Sequence, residues 1–394
     1  KGEAVYTKGA PDVIIGQCRY TLTDDGVVLL SSQDKKRLMD IAEGYASKAL
    51  RVMAFSLSRG SDGKVFIGLM GMIDAPRKEA KRSVAELRRA GIKTVMITGD
   101  HRLTAEAIAR EIGILRMGGI SLSKDELDKL SDKELDAVIS RVSVFSRVDP
   151  KDKLRIVSAF KRKGNIVAMT GDGVNDAPAV KEANIGVAMG KSGTDACKQA
   201  ADIILLDDDF STLCEAVRQG RTVYSNIRKF VRYLISCNIG EVMVMFLSII
   251  LGMPVILLPT QILLVNLVTD GLPAIALGME KTEKAVMEMK PQRFSGDFFS
   301  GGLLHKIIIR GILIGICTLG CFAYSLMYIG TDLSTARTCA LVTLIASQLI
   351  HVFECRSEYV SIFRMNPFKN LWLLLAVIVS AAVTALCIYL PQAS

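Results

Sequence analysis

Most of the ionic residues of this chain lie before about Arg232, and the remainder is dominated by apolar runs of the length a bilayer demands, about 20 residues per helix. A chain divided in this way cannot close around one water-soluble core, so the first half is expected to be soluble and the second half embedded in membrane. From Phe210 no proline occurs before Leu251, which allows a continuous helix of roughly 40 residues, about 60 Å at ~1.5 Å per residue. That length covers a stalk and a crossing. Further apolar segments stand at about Leu258–Leu277, Ile307–Ile329, Thr338–Phe353 and Leu371–Leu390. The connections carrying Lys281, Lys284, Lys290 and Arg293, and later Arg356, Arg364 and Lys369, are basic, whereas 253–259 and 330–336 hold no Lys or Arg. This asymmetry orients the soluble half to the cytosol. The formal net charge of +9 is therefore a signature of orientation, and nucleic-acid binding does not follow from it. Nine cysteines without CxxC spacing, several of them inside apolar runs, indicate neither a disulfide framework nor a zinc site. The chain starts at Lys1 with no initiator Met or signal peptide, and is expected to be part of a longer protein.

The soluble half changes pattern once. Up to about Gly71, short β-like runs (Val27–Leu30, Val52–Phe55, Val65–Gly68) alternate with one helical stretch, Gln33–Ala49, as in a partial α+β domain. From Ile73 to Asp209, apolar strands run into glycine turns and aspartates: Thr94–Ile97 into Thr98-Gly99-Asp100, Ile166–Met169 into Thr170-Gly171-Asp172, and Ile203–Leu206 into Asp207-Asp208-Asp209. Such repeats predict a parallel, doubly wound sheet with its ligand crevice at the carboxyl ends of the strands.

The most specific string is Thr170-Gly171-Asp172-Gly173-Val174-Asn175-Asp176-Ala177-Pro178-Ala179. Carboxylates four residues apart on a glycine turn suit a hard divalent cation, Mg²⁺, beside a phosphoryl oxygen. An acidic helix-capping turn would explain a lone Gly-Asp pair but not the whole decapeptide. Thr98-Gly99-Asp100 ends a strand in the same way, and its hydroxyl and N–H groups suit a phosphoryl group at the next helix's N-terminus, although alone it is an ordinary turn. Lys153 is a candidate counter-charge to phosphoryl oxygens; by itself a lysine is usually only solvated.

With Arg147-Val148-Asp149-Pro150-Lys151-Asp152-Lys153 and Lys8-Gly9-Ala10-Pro11-Asp12, these strings stand in the order found in P-type ATPases, which the chain resembles along essentially its whole length. The resemblance implies an α/β haloacid-dehalogenase-like (Rossmannoid) phosphorylation domain at 73–210, preceded at 1–72 by the C-terminal part of an α+β nucleotide-binding domain and followed at 211–394 by a stalk and an α-helical transmembrane bundle of about five helices. Carried over to matching positions, Asp172 would ligand Mg²⁺, Asn175 and Asp176 would support the phosphorylation site, and Thr98, Gly99, Asp100 and Lys153 would hold the phosphoryl group. Lys8, Gly9, Arg51 and Arg147 would bind ATP. The family's hinge, usually DPPR, appears as Asp74-Ala75-Pro76-Arg77. Its phosphorylated aspartate lies in a DKTGT string that these residues do not contain, so the chain alone is expected neither to hydrolyse ATP by the family's route nor to pump, and the missing N-terminal portion of the same pump is an expected partner.

In the apolar half, carboxylates are costly and are therefore read functionally. Glu241 shares a helix face with Asn238, and Asp270 shares one with Asn266 and Thr269. Together they offer a hard oxygen cage that suits Ca²⁺, loosened by the helix breakers Gly271 and Pro273; hydrogen bonding between helices is the plainer alternative. Asn238-Ile239-Gly240-Glu241 and Asn266–Pro273 resemble the fifth and sixth helices of sarcoplasmic-reticulum-type calcium pumps. Gln348 stands where two-site pumps of that kind place a glutamate, which implies one Ca²⁺ per cycle. The resemblance implies ATP-driven Ca²⁺ export through an aspartyl phosphate by a multi-pass protein of the plasma membrane. A Na⁺, H⁺ or Mn²⁺ pump of the same architecture, or a membrane-anchored hydrolase of the dehalogenase superfamily, are the rivals. Lys306 and Arg310 read as snorkelling anchors, His351 as a residue that packs or hydrogen-bonds without an ionic role, and Arg228–Arg232 as a solvated stalk or a contact to acidic headgroups.

Overall fold

The computed structural model describes residues 4–24, 26–47, 50–59, 63–73, 76–289, 291, 298–299, 301–358 and 360–389. They fall into two units, one running to Glu215 and rejoined by the segment from Met287, the other made of the remaining residues from Ala216 onward.

The first unit opens with β1 (Ala4–Gly9), α1 (Pro11–Gln17), β2 (Cys18–Thr23), β3 (Gly26–Leu29), α2 (Ser32–Ala46), β4 (Leu50–Arg59) and β5 (Lys64–Ile73). The strands form one mixed sheet in the order β1-β4-β5-β2-β3, parallel only between β2 and β5. Ile14, Ile15, Cys18, Leu30, Ala54 and Phe66 make its core. Ser31 starts α2 with a capping box, its hydroxyl accepting from Asp34 N and Asp34 accepting from Ser31 N. The three strands and the helix expected here are present with shifted ends. β1 and β2 were not expected, because Val-Tyr-Thr-Lys and Arg-Tyr-Thr-Leu mix polar residues into their apolar pattern.

Next come α3 (Lys78–Arg89), β6 (Met96–Ile97), α4 (Arg102–Glu111), β7 (Ile120–Ser123), α5 (Lys124–Asp128), α6 (Asp132–Val138), β8 (Val142–Ser146), α7 (Pro150–Arg162), β9 (Ala168–Gly171), α8 (Ala177–Glu182), β10 (Ile185–Met189), α9 (Asp195–Ala200) and β11 (Ile203–Leu205). All pairings here are parallel, but they form two sheets, β6-β8-β7 and β11-β10-β9. The expectation of a parallel αβ layer holds, with a correction. Two of the three expected strands are shorter, the third, β9, is shifted by two residues, and the Asp turns that end them are divided between two sheets instead of sharing one. β7, β8 and β10 were missed because serine alternates through Ile-Ser-Leu-Ser and Val-Ser-Val-Phe-Ser, and glycine interrupts Ile-Gly-Val-Ala-Met. β8 and β10 nonetheless carry core residues: Val142, Val144, Phe145, Val187 and Ala188 are all 0% exposed.

The second unit is helical. It contains most of α10 (Phe210–Ile250, 41 residues), then α11 (Pro259–Leu264), a π-helical turn over Val265–Asp270, α12 (Gly271–Gly278), α13 (Leu303–Tyr324) continued by a π turn to Ile329, α14 (Leu333–Cys355) and α15 (Leu371–Tyr389). Among the described residues, five helical stretches are long and apolar enough to cross a membrane: 210–250, 259–278, 303–329, 333–355 and 371–389. Gly240, Gly311 and Gly315 bring α10 and α13 into backbone contact. A Cβ on Gly311 would lie 2.5 Å from Ile239 Cγ2, and one on Gly315 would lie 3.0 Å from Met243 Cβ.

Gly271 and Pro273, expected to break the helix, do not interrupt it. They come just after the π turn, and the helix continues through them to Gly278. The loosening is a wider turn, because Pro273 has no N–H to offer the carbonyl of Thr269.

One further expectation is corrected. Arg228, Lys229 and Arg232 are 5%, 1% and 3% exposed, so they are neither solvated nor at headgroups. They pair with Glu358 (3.0 Å), Glu283 (2.5 Å) and Glu354 (3.0 Å). Arg310 also pairs with Glu354 at 2.8 Å, Lys306 donates to the carbonyl of Glu358 at 3.2 Å, and His351 Nδ1 lies 3.3 Å from Glu354. A buried cation needs a counter-charge more than it needs a lipid phosphate.

Candidate functional site

In the first unit the strand ends converge on polar side chains. Ile97 and Phe145 pair across β6 and β8, and the pairing carries on past the strand, with Thr98 N donating to Phe145 O at 2.9 Å and Val148 N to Thr98 O at 3.3 Å. Thr98 is thereby fixed at the strand end. Its hydroxyl donates to Asp100 Oδ2 at 2.9 Å and accepts from Asp100 N at 3.1 Å, a self-contained turn.

Gly171 ends β9 where no side chain fits: a Cβ there would lie 2.5 Å from Asp176 Cβ and 2.9 Å from Val180. The close approach folds Asp176 back over the turn, and its Oδ2 faces the backbone N–H groups of Asp172 and Gly173 at 3.4 Å each. Asp176 Oδ1 accepts from Lys153 Nζ at 2.5 Å, both side chains being largely buried. Lys153, expected as a counter-charge to phosphoryl oxygens, is thus tied first to Asp176, and Asp176 is an organiser of the turn. Asn175 is exposed beside it.

Asp172 differs from Asp176. It is exposed, its carbonyl accepts from Thr194 N at 2.8 Å, and its carboxylate accepts no hydrogen bond among the described residues. A pinned backbone with an uncommitted carboxylate is a donor of the kind Mg²⁺ takes. Asp172 lines a cleft of about 300 Å³ with Arg77, Ser192, Asp208 and Asp209. The carboxylate of Asp208 is ordered by backbone: Oδ1 accepts from Lys191 N at 2.9 Å and Oδ2 from Ser192 N at 2.8 Å. Those N–H groups, Lys191's foremost, hold its carboxyl down at about 2.

The residues expected to bind nucleotide are less gathered. Lys8 and Gly9 end edge strand β1, where Lys8 is exposed and Gly9 backs onto Ile14. Arg147 takes φ 56, and its guanidinium pairs with Asp12 of the Lys8–Asp12 string at 3.1 Å. The side chain of Arg51, and Asp74-Ala75 of the hinge string, lie outside the described residues, as do Lys290 and Arg293.

In the second unit, Glu241 on α10 accepts from Asn266 Nδ2 at 3.0 Å through Oε2 and from Gln348 Nε2 at 3.0 Å through Oε1. Asp270, at the end of the π turn, accepts from Tyr233 OH at 3.0 Å and faces Gln348 Nε2 at 3.4 Å. Glu241 is 5% exposed, and Asp270, Thr269 and Gln348 are fully buried. Gln348 Oε1 is buried with no hydrogen-bond partner among the described residues. Three helical stretches therefore bring two carboxylates and two amides to one point.

Two expected members fall short of it. Asn238 is exposed and its amide turns back to Leu234 O at 2.9 Å, while the Thr269 hydroxyl is spent on Val265 O at 2.9 Å. Both bond to a carbonyl of their own helix, the usual retreat of a short polar side chain in an apolar helix. Tyr233 was missed. Its spacing was legible, since 233, 237 and 241 lie on one face at i, i+4 and i+8.

Comparison with known proteins reaches both units. The family described as haloacid dehalogenase-like hydrolase matches residues 32–184, and the one described as cation transporting ATPase, C-terminus, matches residues 254–394. A calcium-transporting ATPase of Bacillus subtilis is 45% identical over 398 aligned residues, which cover 98% of this chain and 45% of that protein. Calcium-transporting ATPase 1 of Bacillus cereus is 42% identical, with 98% and 46% covered, and an endoplasmic reticulum-type calcium-transporting ATPase 3 of Arabidopsis thaliana is 34% identical, with 98% and 43% covered. The chain spans a little under half the length of these curated relatives. With a dehalogenase-like unit, five membrane-length helices and relatives matched along nearly its whole length, the chain belongs to the P-type cation-transporting ATPases.

Proposed function

We propose that the chain is the phosphorylation and ion-binding portion of a pump that moves Ca²⁺ across the plasma membrane at the expense of ATP, through an aspartyl phosphate formed on a residue outside this sequence. The observation that carries the reading is the meeting of Glu241 and Asp270 with Asn266 and Gln348 in an apolar helical unit. Two carboxylates and amide carbonyls are the donors a hard cation takes, and among the described residues neither carboxylate has a basic hydrogen-bond partner. Both relatives from Bacillus are named as calcium-transporting, which favours Ca²⁺ over Na⁺, H⁺ or Mn²⁺. With one glutamate and one aspartate, and a neutral Gln348, the cage supports one Ca²⁺ per cycle.

In this reading residues 1–72 contribute to nucleotide binding, 73–210 to phosphoryl chemistry and 211–394 to stalk and membrane. Asp172 would hold Mg²⁺, which supplies charge neutralisation at the transferring phosphoryl group. Thr98 and the N–H groups of its turn orient phosphoryl oxygens, Lys153 places positive charge beside Asp176 at the end of β9, and Asp176 with Asn175 shapes the turn that presents Asp172. Lys8, Gly9, Arg51 and Arg147 are proposed for ATP; Arg147 must exchange Asp12 for a phosphate to serve there.

The test is phosphorylation from ATP in a pump extended to the length of its relatives. Phosphoenzyme should require micromolar Ca²⁺, and Asp270→Asn should abolish this response to Ca²⁺. Phosphorylation that ignores Ca²⁺ and responds to Na⁺ or Mn²⁺ instead would keep the family and overturn the ion.

A further inference from the structure

Among the described residues, only Arg147 and Asp208 are non-glycine residues with positive φ, at 56° and 57°. Arg147's conformation accompanies its bridge to Asp12. Asp208, to which neither the motifs nor the family resemblance assigns a role, lies in the cleft with Asp172.

Its carboxylate holds two consecutive amides, Lys191 N and Ser192 N, and its own N–H donates to Leu205 O at 3.2 Å. The loop so gripped is closed tightly. A Cβ at Gly190 would lie 2.8 Å from Leu205 O, and one at Gly193 would lie 2.0 Å from Met189 O. Gly190 N donates to Leu205 O at 2.8 Å, which ties the loop to the end of β11. Two residues beyond Ser192, Thr194 N donates to Asp172 O at 2.8 Å. Arg77 closes the other side, donating to the backbone O of Asp208 at 2.6 Å.

We propose that Asp208 is a positioning residue: by clamping the turn at 190–193 it holds the Thr194 amide against Asp172 and so fixes the carboxylate that would take Mg²⁺. The proposal rests on the reading of Asp172 as that ligand. Outer-shell groups of this kind orient a metal ligand without touching the metal, and their loss usually costs about 10- to 100-fold in affinity. The left-handed backbone at 208 follows from the need to aim one carboxylate at two successive amides, a conformation Asn tolerates and Ala does not.

Three substitutions separate carboxylate from backbone. Asp208→Gly relieves the backbone and removes both acceptors, Asp208→Ala removes the acceptors and adds strain, and Asp208→Asn keeps one acceptor and the backbone. In the detergent-solubilised chain, amide hydrogen exchange would be followed in peptides covering 189–195 and 171–175, with Mn²⁺ as a paramagnetic stand-in for Mg²⁺. Gly and Ala variants should speed exchange in both peptides and weaken Mn²⁺ about tenfold or more, while Asn, which keeps one acceptor but turns an NH2 toward the other amide, should fall between Ala and the parent. Faster exchange confined to 189–195, with Mn²⁺ affinity and 171–175 unmoved, would make Asp208 a local loop residue and overturn the proposal, as would an Asn variant no better than Ala. Should Asp172→Asn leave Mn²⁺ binding untouched, the metal reading of Asp172 falls, and the exchange at 171–175 alone then decides whether Asp208 positions that turn.

Discussion

At the residue scale, glycine and carboxylate do most of the shaping. Gly171 allows Asp176 to fold over its own turn, and the 2.5 Å a Cβ would leave to Asp176 Cβ is less than any packed pair accepts. Gly171→Ala is therefore expected to destabilise the first unit by about 1–3 kcal/mol, the usual range for overpacking, and to displace Asp176 from Lys153. Urea unfolding read by a probe in this unit checks it; an unchanged midpoint would mean that the turn yields more easily than its contacts suggest. The decapeptide around Asp172 was legible because its chemistry is local: glycine, two carboxylates and a helix-starting proline stand within ten residues. Asp208 was not legible, since its partners at 191 and 192 belong to another turn. Tyr233 was missed for a different reason, a hydroxyl in an apolar helix having no meaning until Asp270 is placed beside it.

At the scale of elements, apolar periodicity announced helices better than strands. Every membrane-length helix was expected within a few residues, although α14 begins at Leu333, five residues before the expected Thr338, because Asp332 caps it through Ser334 N and Thr335 N. Strands β7, β8 and β10 were hidden by serine and glycine on short segments of four or five residues. Nor did the sequence announce how α10 and α13 approach, although Gly311 and Gly315 stand four apart in an apolar helix. This contact involves Gly240, the neighbour of Glu241, so Gly311→Leu should lower the thermal midpoint of the detergent-solubilised protein by several degrees. Gly320→Ala, on the same helix with nothing within 4 Å of the new Cβ, should leave it unchanged. Equal effects of the two would show that the close approach of α10 and α13 contributes little. The buried pairs of Arg228, Lys229 and Arg232 were misread from sequence because their partners, Glu358, Glu283 and Glu354, are 130, 54 and 122 residues away in the chain, and a basic run on a helix names no acid.

At the scale of the whole molecule, the residues proposed for phosphoryl chemistry lie in one unit and those proposed as the cation cage in the other, and α10 is the continuous element whose residues belong to both, from Phe210 to Ile250. Coupling of this kind requires two arrangements of one rigid element, each favoured by a different ligand. Everything proposed for the membrane half turns on whether the cage of Glu241 and Asp270 carries Ca²⁺ when ATP is consumed. ATP-driven uptake of radioactive Ca²⁺ decides this, measured in proteoliposomes holding the pump at the full length of its relatives, beside Glu241→Gln and Asp270→Asn. Uptake is expected in the parent protein and should be lost in both variants, with Na⁺ and Mn²⁺ failing to replace Ca²⁺. Uptake that survives both substitutions, or ATP-driven movement of Na⁺ or Mn²⁺ in place of Ca²⁺, would contradict the assignment of this cage to Ca²⁺.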